Sequence, residues 1–218
     1  MGRRILVIAS YCGENRHHPS INYLAYQLES LKRFKNNLDD VVVVVNKGYP
    51  TVEYLDSLSE FPKVLLRPNV RGSYGAWNHA WDIYGDEYDW YFVVEDDYVF
   101  VLDNWDQKLI DLWEDDMGYL CSKLDGELQN FHASMTGGLV SSVGFRTADF
   151  SDFNRCSSDV YDTCSQIRWS QAFINSPLKV KSILPTYDTP FYGAGITRSF
   201  SNNPAIILPI QGYMAKWG

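Results

Sequence analysis

Residues 91–100 read YFVVEDDYVF, and in this stretch an apolar run ends directly in three consecutive acids. The run has the length and the aromatic and β-branched composition of a buried strand. Neighbouring carboxylates repel one another, so Glu95, Asp96 and Asp97 need water, a cation or basic partners at this position. Ligands of open α/β sheets bind at the carboxyl ends of the strands. The stretch therefore predicts a central strand that ends in a polar, ligand-binding site.

The rest of the first hundred residues alternates between strand and helix patterns. The predicted strands are 4–11, 41–48, 63–69 and 90–97, and the predicted helices are 20–35, 51–59 and 72–84. The run 41–45 is apolar at every position, which is typical of a parallel strand that is covered on both faces. This alternating order predicts an α/β fold with a mostly parallel central sheet flanked by helices.

After one further helix, the pattern becomes mixed from about residue 117, which predicts an α+β C-terminal region. A helix is predicted over 104–113, a strand near 118–122 and a second helix over 158–175. In the first of these helices, the 3.6-residue period places Trp105, Leu109 and Leu112 on the buried stripe. No internal repeat, low-complexity tract or linker is found, so we expect residues 1–218 to form one domain.

Composition excludes several classes of protein. A net charge of -8 argues against a protein that binds nucleic-acid backbones, because that mode needs a basic surface. No apolar run of about 18 residues occurs, and the apolar start is too short for a signal peptide, so we expect no membrane span and a cytoplasmic location. The four cysteines lack C-x-x-C spacing, which disfavours zinc. We expect reduced thiols, since a Cys156–Cys164 bridge would need an oxidising compartment.

A second acid triplet, Glu114-Asp115-Asp116, provides an internal control for the first. It follows an amphipathic helix, where acids meet the unfavourable C-terminal end of the dipole, and we interpret it as a solvated loop. The first triplet follows a strand, and this position favours a role in ligand binding or catalysis. Its natural partner is a hard divalent cation, and Mg²⁺ or Mn²⁺ would in turn bind substrate phosphates.

A glycine-containing segment is expected at the same edge of the sheet. RPNVRGSYGAWNHAW (67–81) follows the third strand and opens a helix. Gly72 and Gly75 allow the backbone to approach a ligand, and Arg71 offers a fork of donors for phosphate. The amides of the helix N-terminus add positive potential, and Asn78 lies one turn beyond Gly75.

Together these motifs resemble nucleotide-sugar glycosyltransferases of the GT-A fold. The segment VVEDDYVFVLDNW (93–105) is similar to the Glu-Asp-Asp segment of the N-acetylglucosaminyltransferase I type. Shorter matches follow in SKLDGE, MTGGLV, VYDTCSQIR and GITRS, so the resemblance spans most of the chain. The compact size is similar to the stand-alone glycosyltransferase domains of large algal viruses.

The resemblance implies a metal-dependent, inverting glycosyltransferase. Such an enzyme moves a sugar from a nucleotide diphosphate donor, UDP by family habit, to a hydroxyl of a glycan or glycoprotein. Residues 1–100 would bind the nucleotide-sugar, and residues 101–218 would carry the acceptor site and the base. Asp97 would bind Mn²⁺ or Mg²⁺. The implied donor-binding residues are Ser10, Tyr11, Asn46, Arg71, Gly75, Asn78, Glu95, Asp96 and Arg198.

Two positions depart from this pattern or leave it open. Asn46 stands where many members carry an acid for the nucleotide, so the base is not determined. Asp162 matches the general base of inverting members, and Asp159 is a rival for the same role. Their spacing after two serines is also typical of a helix start, so both acids could instead cap a helix.

Two other functions compete with the glycosyltransferase. A sugar nucleotidyltransferase shares the α/β order and an acidic metal site, but usually has a glycine-rich basic loop after the first strand. Here SYCGENRHHPS (10–20) has one glycine, which favours glycosyl transfer. The 15% aromatic content also suits a carbohydrate-binding module, but most such modules are β-sandwiches and this chain alternates strands with helices.

Overall fold

The central feature of the fold is one twisted sheet built from the strand patterns described above. A computed structural model describes residues 2–11, 23–46, 52–96, 98–100, 103–125, 132–157, 163–182 and 208–209. The strands are β1 (Arg4–Tyr11), β2 (Asp40–Asn46), β3 (Lys63–Arg67), β4 (Trp90–Glu95), β5 (Tyr98–Val99), β6 (Met117–Asp125), β7 (His132–Ser141), β8 (Lys179–Ser182) and β9 (Leu208–Pro209). The α-helices are α1 (Tyr23–Arg33), α2 (Val52–Ser59), α3 (Gly72–Tyr84), α4 (Trp105–Ile110), α5 (Ser142–Thr147), α6 (Ser151–Asn154) and α7 (Thr163–Ile174).

The sheet has seven strands in the order β3-β2-β1-β4-β7-β6-β8. Strands β3, β2, β1 and β4 are parallel, and β6 and β8 run parallel to each other. Strand β7 is antiparallel to both of its neighbours, β4 and β6. A short ribbon pairs β5 with β9 beyond the end of β4. The predicted α/β class, with a mostly parallel, GT-A-like sheet flanked by helices, is confirmed.

Helices cover both faces of the sheet, and alternate residues of each strand supply the two cores. On one face, Val7 packs in a cluster with Trp77 of α3 and Trp169 of α7. On the other face, Ile8 packs with Leu24 of α1 and with aromatic and aliphatic side chains of α2 and α4. Burial on both faces explains why β1 and β2 are apolar without alternation.

The predicted helix over 104–113 is too long. Helix α4 ends at Ile110, and the chain continues in tighter turns in which Leu112 N–H donates to Leu109 O at 3.2 Å. This change of period turns Leu112 outwards, so that it is 43% exposed, whereas Trp105 and Leu109 are fully buried. The prediction that Leu112 lies on the buried stripe is therefore wrong.

Three other predictions concern the chain as a whole. Within the described ranges, no helix combines the length and the apolarity needed to cross a membrane. The cytoplasmic location, and the division into halves 1–100 and 101–218, stay predictions.

A buried ion pair connects the start of β1 to α4. Arg4 Nη1 donates to Asp106 Oδ2 at 2.5 Å, and these side chains are only 5% and 0% exposed. Arg4 Nη2 donates to Gln107 Oε1 at 2.6 Å, and the backbone N–H of Asn37 donates to Asp106 Oδ2 at 2.9 Å. These further hydrogen bonds offset part of the desolvation of the two charges.

Replacing Asp106 by Ala is expected to lower the free energy of unfolding by about 3–5 kcal/mol, because it leaves the Arg4 charge buried without a counter-charge. Denaturant unfolding followed by fluorescence measures this change. As a control, Glu60→Gln breaks an exposed pair with Lys32 and should leave the unfolding midpoint unchanged. Equal midpoint shifts in the two variants would contradict the structural role of the buried pair.

Candidate functional site

Four parallel strands end side by side and bring their last polar residues to one edge of the sheet. In the register of the sheet, Tyr11 lies opposite Asn46, and Asn46 lies opposite Arg67. On the other side of β1, Ala9 lies opposite Glu95. The ends of β1 to β4 therefore form a continuous row of polar groups at the carboxyl edge, where ligands of such sheets bind.

Hydroxyl groups hold the first two acids of the triplet. The Ser10 hydroxyl donates to Asp96 Oδ2 and is also hydrogen-bonded to the Tyr54 hydroxyl at 2.8 Å. Asp96 is 3% exposed, so these contacts replace water around a buried carboxylate. The Ser73 hydroxyl, in the first turn of α3, donates to Glu95 Oε1. Two different elements thus orient the two carboxylates at the end of β4.

The Arg67 guanidinium fixes the turn between β3 and α3. It donates from Nη1 to Asn46 Oδ1 at 2.6 Å and from Nη2 to Val70 O at 2.7 Å. Asn46 Nδ2 donates in turn to Gly72 O at 3.3 Å. Burial lowers the pKa of Arg67 to about 10, with a further contribution from the positive charge of Arg71, so the group remains a cation at neutral pH.

Sequence reasoning missed Arg67, although it stands at a strand end beside Asn46 in the predicted sheet. The parallel order of β2 and β3 was the signal, since it places the last residues of these strands next to each other. The predicted phosphate ligand was instead Arg71, which lies in the turn itself.

Arg71 connects the start of α3 to the end of α6 and the residues after it. Its backbone has a positive φ of 65°. Its side chain donates from Nε to Cys156 O at 2.8 Å and from Nη2 to Asn154 O at 2.7 Å, and the guanidinium lies 5.2 Å from the centre of the Phe153 ring. Nη1 contacts Asn154 Oδ1 at 3.3 Å. These contacts engage three of the five N–H groups of a guanidinium.

Two further predicted residues lie on α3. A Cβ atom on Gly75 would lie 2.3 Å from Val70 O and 2.7 Å from Arg67 Nη2, so the close approach of helix and turn requires glycine here. Asn78 is 8% exposed, and its amide nitrogen lies 3.5 Å from Asp82 Oδ2, one turn further along the helix. Burial raises the pKa of Asp82, and nearby His79 opposes that rise.

The structure brings together some of the predicted site residues and does not describe others. Those that meet at the edge or begin α3 are Ser10, Tyr11, Asn46, Arg71, Gly75, Glu95 and Asp96. Asn78 is directed towards Asp82 instead. Asp97, Asp159, Asp162 and Arg198 lie outside the described residues. Within the described part of the chain, no group of three or more His, Cys, Asp or Glu side chains is arranged to hold a metal ion, so the Mn²⁺ or Mg²⁺ site stays a prediction.

The second acid triplet lies at the surface. Asp116 pairs with Lys179 and Glu114 pairs with Lys181, both on β8, and the two acids are 51% and 54% exposed. Neighbouring lysines and water therefore compensate these charges, whereas serine hydroxyls hold Glu95 and Asp96.

No protein-family model matches the sequence, and no curated protein matches it significantly. Solved structures do match the fold. A cytidylyltransferase from Leptospira borgpetersenii aligns with a TM-score of 0.55 and 12% identity over 87% of this chain and 77% of that one. The 4-diphosphocytidyl-2C-methyl-D-erythritol synthase from Anaerococcus prevotii aligns with a TM-score of 0.53 and 11% identity over 99% of this chain and 96% of that one.

These matches correct the expected function. The predicted glycosyltransferase is not supported, because the matched structures are nucleotidyltransferases, the class that ranked second on sequence grounds. Neither matched protein is named as an N-acetylglucosaminyltransferase or as a viral protein, and neither name refers to a glycan acceptor. An acidic metal site was expected for both classes, so the acid triplet alone does not distinguish them. The chain shares the α/β fold of these cytidylyltransferases.

Replacing Arg67 by Met should lower the free energy of unfolding by about 2–3 kcal/mol, because it leaves Asn46 Oδ1 and Val70 O without their donor. Denaturant unfolding measures the loss, and hydrogen exchange should become faster in the first turn of α3. Arg146→Met is the control, since Arg146 is 58% exposed and pairs only at the surface. A variant at Arg67 that is as stable as the control would show that the guanidinium does not hold the turn.

Proposed function

We propose that the protein is a nucleotidyltransferase that acts on a nucleoside triphosphate and a phosphorylated sugar or sugar-like alcohol. It would transfer the nucleoside monophosphate group to the acceptor phosphate and release pyrophosphate. The fold likeness to two cytidylyltransferases makes CTP the first nucleotide to test. The Anaerococcus prevotii protein is named for a product in which a diphosphocytidyl group is joined to a methylated polyol, which suggests polyol phosphates as acceptors here.

The observation that carries this proposal is the set of charges at the carboxyl edge of the sheet. The N-terminus of α3 and the cations Arg67 and Arg71 provide positive potential at the edge of the sheet at which Glu95 and Asp96 also lie. Helix N-termini and guanidinium groups bind phosphates, and carboxylates suit the Mg²⁺ that accompanies a triphosphate. A protein with a net charge of -8 can bind such an anion only where cations are concentrated locally.

The single glycine in residues 10–20 is a weak argument against this function. Backbone amides and cations bind phosphate, and glycine is needed only where φ is positive or the ligand approaches the backbone closely. The same segment contains Arg16, His17 and His18, although these residues lie outside the described part of the chain. Arg71 adopts a positive φ without being glycine, so this site does not depend on glycine at every special position.

The reaction joins two phosphates. An oxygen of the acceptor phosphate attacks the α-phosphorus of the triphosphate and forms the new P–O bond. The bond from the α-phosphorus to the bridging oxygen breaks, and pyrophosphate leaves with that electron pair. Donors such as Arg71 would stabilise the negative charge that develops on the leaving group.

Nucleotidyl transfer does not need the base that an inverting glycosyltransferase requires. A phosphate monoester has its second pKa at about 6, so the acceptor oxygen is already ionised at neutral pH. The proposal therefore removes the general-base role from Asp162 and from its rival Asp159.

Mg²⁺ or Mn²⁺ fits the donor set at the end of β4. Hard cations bind carboxylate oxygens, and Asp97 directly follows Glu95 and Asp96, which already lie at this edge. We propose that Asp97, with Asp96, holds the ion. When bound, the ion would neutralise part of the triphosphate charge.

Incubation of the protein with each nucleoside triphosphate, Mg²⁺ and a panel of sugar and polyol phosphates tests the function. Pyrophosphate release and the mass of the nucleotide-linked product are measured. The reverse reaction is run in parallel, with pyrophosphate and CDP-, UDP-, GDP- and ADP-linked alcohols, because it reports on nucleotidyl transfer through the triphosphate formed. No product in either direction, together with no triphosphate binding by calorimetry, would overturn the proposal.

Replacing Arg71 by Ala should lower kcat/KM by about 10–100-fold, as expected when one charge-assisted phosphate contact is lost. Arg155→Ala is the matched control, because Arg155 lies in the same segment but its side chain is 75% exposed and pairs with Asp152 at the surface. Steady-state kinetics measure kcat/KM for both variants, and their melting temperatures show whether either variant is destabilised. If the two arginine variants have the same kcat/KM, Arg71 has no role in binding phosphate.

Replacing Asp97 by Ala should abolish the Mn²⁺-dependent part of nucleotide affinity, because the variant loses the proposed ligand of the ion. Titration calorimetry with and without Mn²⁺ measures this difference. Asp116→Ala removes an acid of the surface triplet and should bind nucleotide and Mn²⁺ like the unmodified protein. Equal losses of Mn²⁺-dependent nucleotide affinity in the two variants would contradict the distinction between the two acid triplets.

A further inference from the structure

Two cysteines near the site lie in direct contact. The Sγ atoms of Cys156 and Cys164 are 2.8 Å apart, and no disulfide bond joins them. A disulfide bond has an S–S distance of about 2.05 Å, so a movement of less than about 1 Å would allow the bond to form. Cys156 is buried and Cys164 is partly exposed, which gives a small oxidant access to one sulfur of the pair.

The pair occupies a position that links Arg71 to the helical layer on one face of the sheet. The carbonyl of Cys156 accepts the hydrogen bond from Arg71 Nε. Cys164 lies in the first turn of α7, and Trp169 of the same helix contacts Trp77 of α3 at 5.5 Å between ring centres. A bond between the two sulfurs would tie the segment that holds Arg71 to α7.

We propose that Cys156 and Cys164 are a thiol-oxidation site that forms a reversible disulfide and thereby fixes the segment on which Arg71 rests. The oxidant class is a small-molecule disulfide such as glutathione disulfide. One cysteine thiolate attacks that disulfide, forms a mixed disulfide and releases one glutathione thiol. The second cysteine thiolate attacks the protein sulfur of the mixed disulfide and releases a second glutathione thiol. Two protein thiols are oxidised, and one glutathione disulfide is reduced to two thiols.

Reversible oxidation of this pair would depart from the expected reduced state of the thiols. Disulfides of cytosolic proteins are rare, and those that do form are usually transient and redox-sensing. A pair of thiols already in contact needs no rearrangement of the fold before the second step. The third described cysteine, Cys121, provides a contrast, because its sulfur contacts the Lys181 carbonyl at 3.3 Å instead of another thiol.

The test uses the Cys12→Ser/Cys121→Ser variant, which keeps only the pair. After treatment with excess glutathione disulfide, thiol titration should fall from two groups to none, and the mass should fall by two hydrogen atoms. Dithiothreitol should reverse both changes. Trypsin releases residues 156–168 as one peptide, so the unmodified protein provides the same result by peptide mass. Two unreacted thiols, or a stable glutathione adduct without loss of hydrogen, would overturn the proposal.

Hydrogen exchange tests the link to Arg71. Amides of residues 151–157 should exchange several-fold more slowly in the oxidised variant than in the reduced one. The same treatment of a Cys164→Ser variant should leave their exchange unchanged. A disulfide that forms without slowing exchange in this segment would overturn the link. None of these measurements requires a nucleotide, so their outcome is independent of whether the proposed function is correct.

Discussion

The contact between the Arg67 guanidinium and the turn before α3 is the constraint on which the candidate site depends. Arg67 ends β3, binds the end of β2 through Asn46, and holds the turn through Val70 O. These hydrogen bonds offset the desolvation of a half-buried cation. They also bring the backbone of the turn so close to α3 that Gly75 has no room for a Cβ atom. The start of α3, and with it the Ser73 hydroxyl that holds Glu95, is positioned by this contact.

The sequence predicted the parallel half of the sheet well, because its signals are local. The bounds of β1 (Arg4–Tyr11) and α3 (Gly72–Tyr84) agree with the predicted 4–11 and 72–84. Their apolar period and their flanking turns are carried by the segments themselves. The antiparallel insertion of β7 between β4 and β6 was not predicted, since a strand pattern does not specify its neighbour in the sheet. The error at Leu112 has a different cause, because the 3.6-residue apolar pattern of the sequence continues past the end of α4.

The sequence predicted only part of the candidate site. Strand-end geometry predicted Glu95 and Asp96 at this edge, and the family resemblance implied Ser10 and Asn46, which the register of the sheet places at the same edge. Arg67 and the hydroxyl partners of the carboxylates were missed, since they depend on how helix and turn pack in space. The predicted class of reaction was wrong, because an acid triplet at a strand end suggests only a site for a cation and a phosphate. It does not report whether the bond that breaks lies at a sugar carbon or at a phosphorus.

The position of Arg71 explains how a site at one sheet edge is connected to the second half of the chain. Its side chain lies against the end of α6 and the residues after it, where the carbonyls of Asn154 and Cys156 accept its hydrogen bonds. The groups that hold this guanidinium are carbonyl oxygens and the Phe153 ring, and none of them is an anion. In the proposed function, the phosphate would supply the anionic partner that these groups do not supply. The same anchoring makes the site sensitive to any chemistry that moves residues 154–156, since the backbone carbonyls that hold Arg71 belong to this segment.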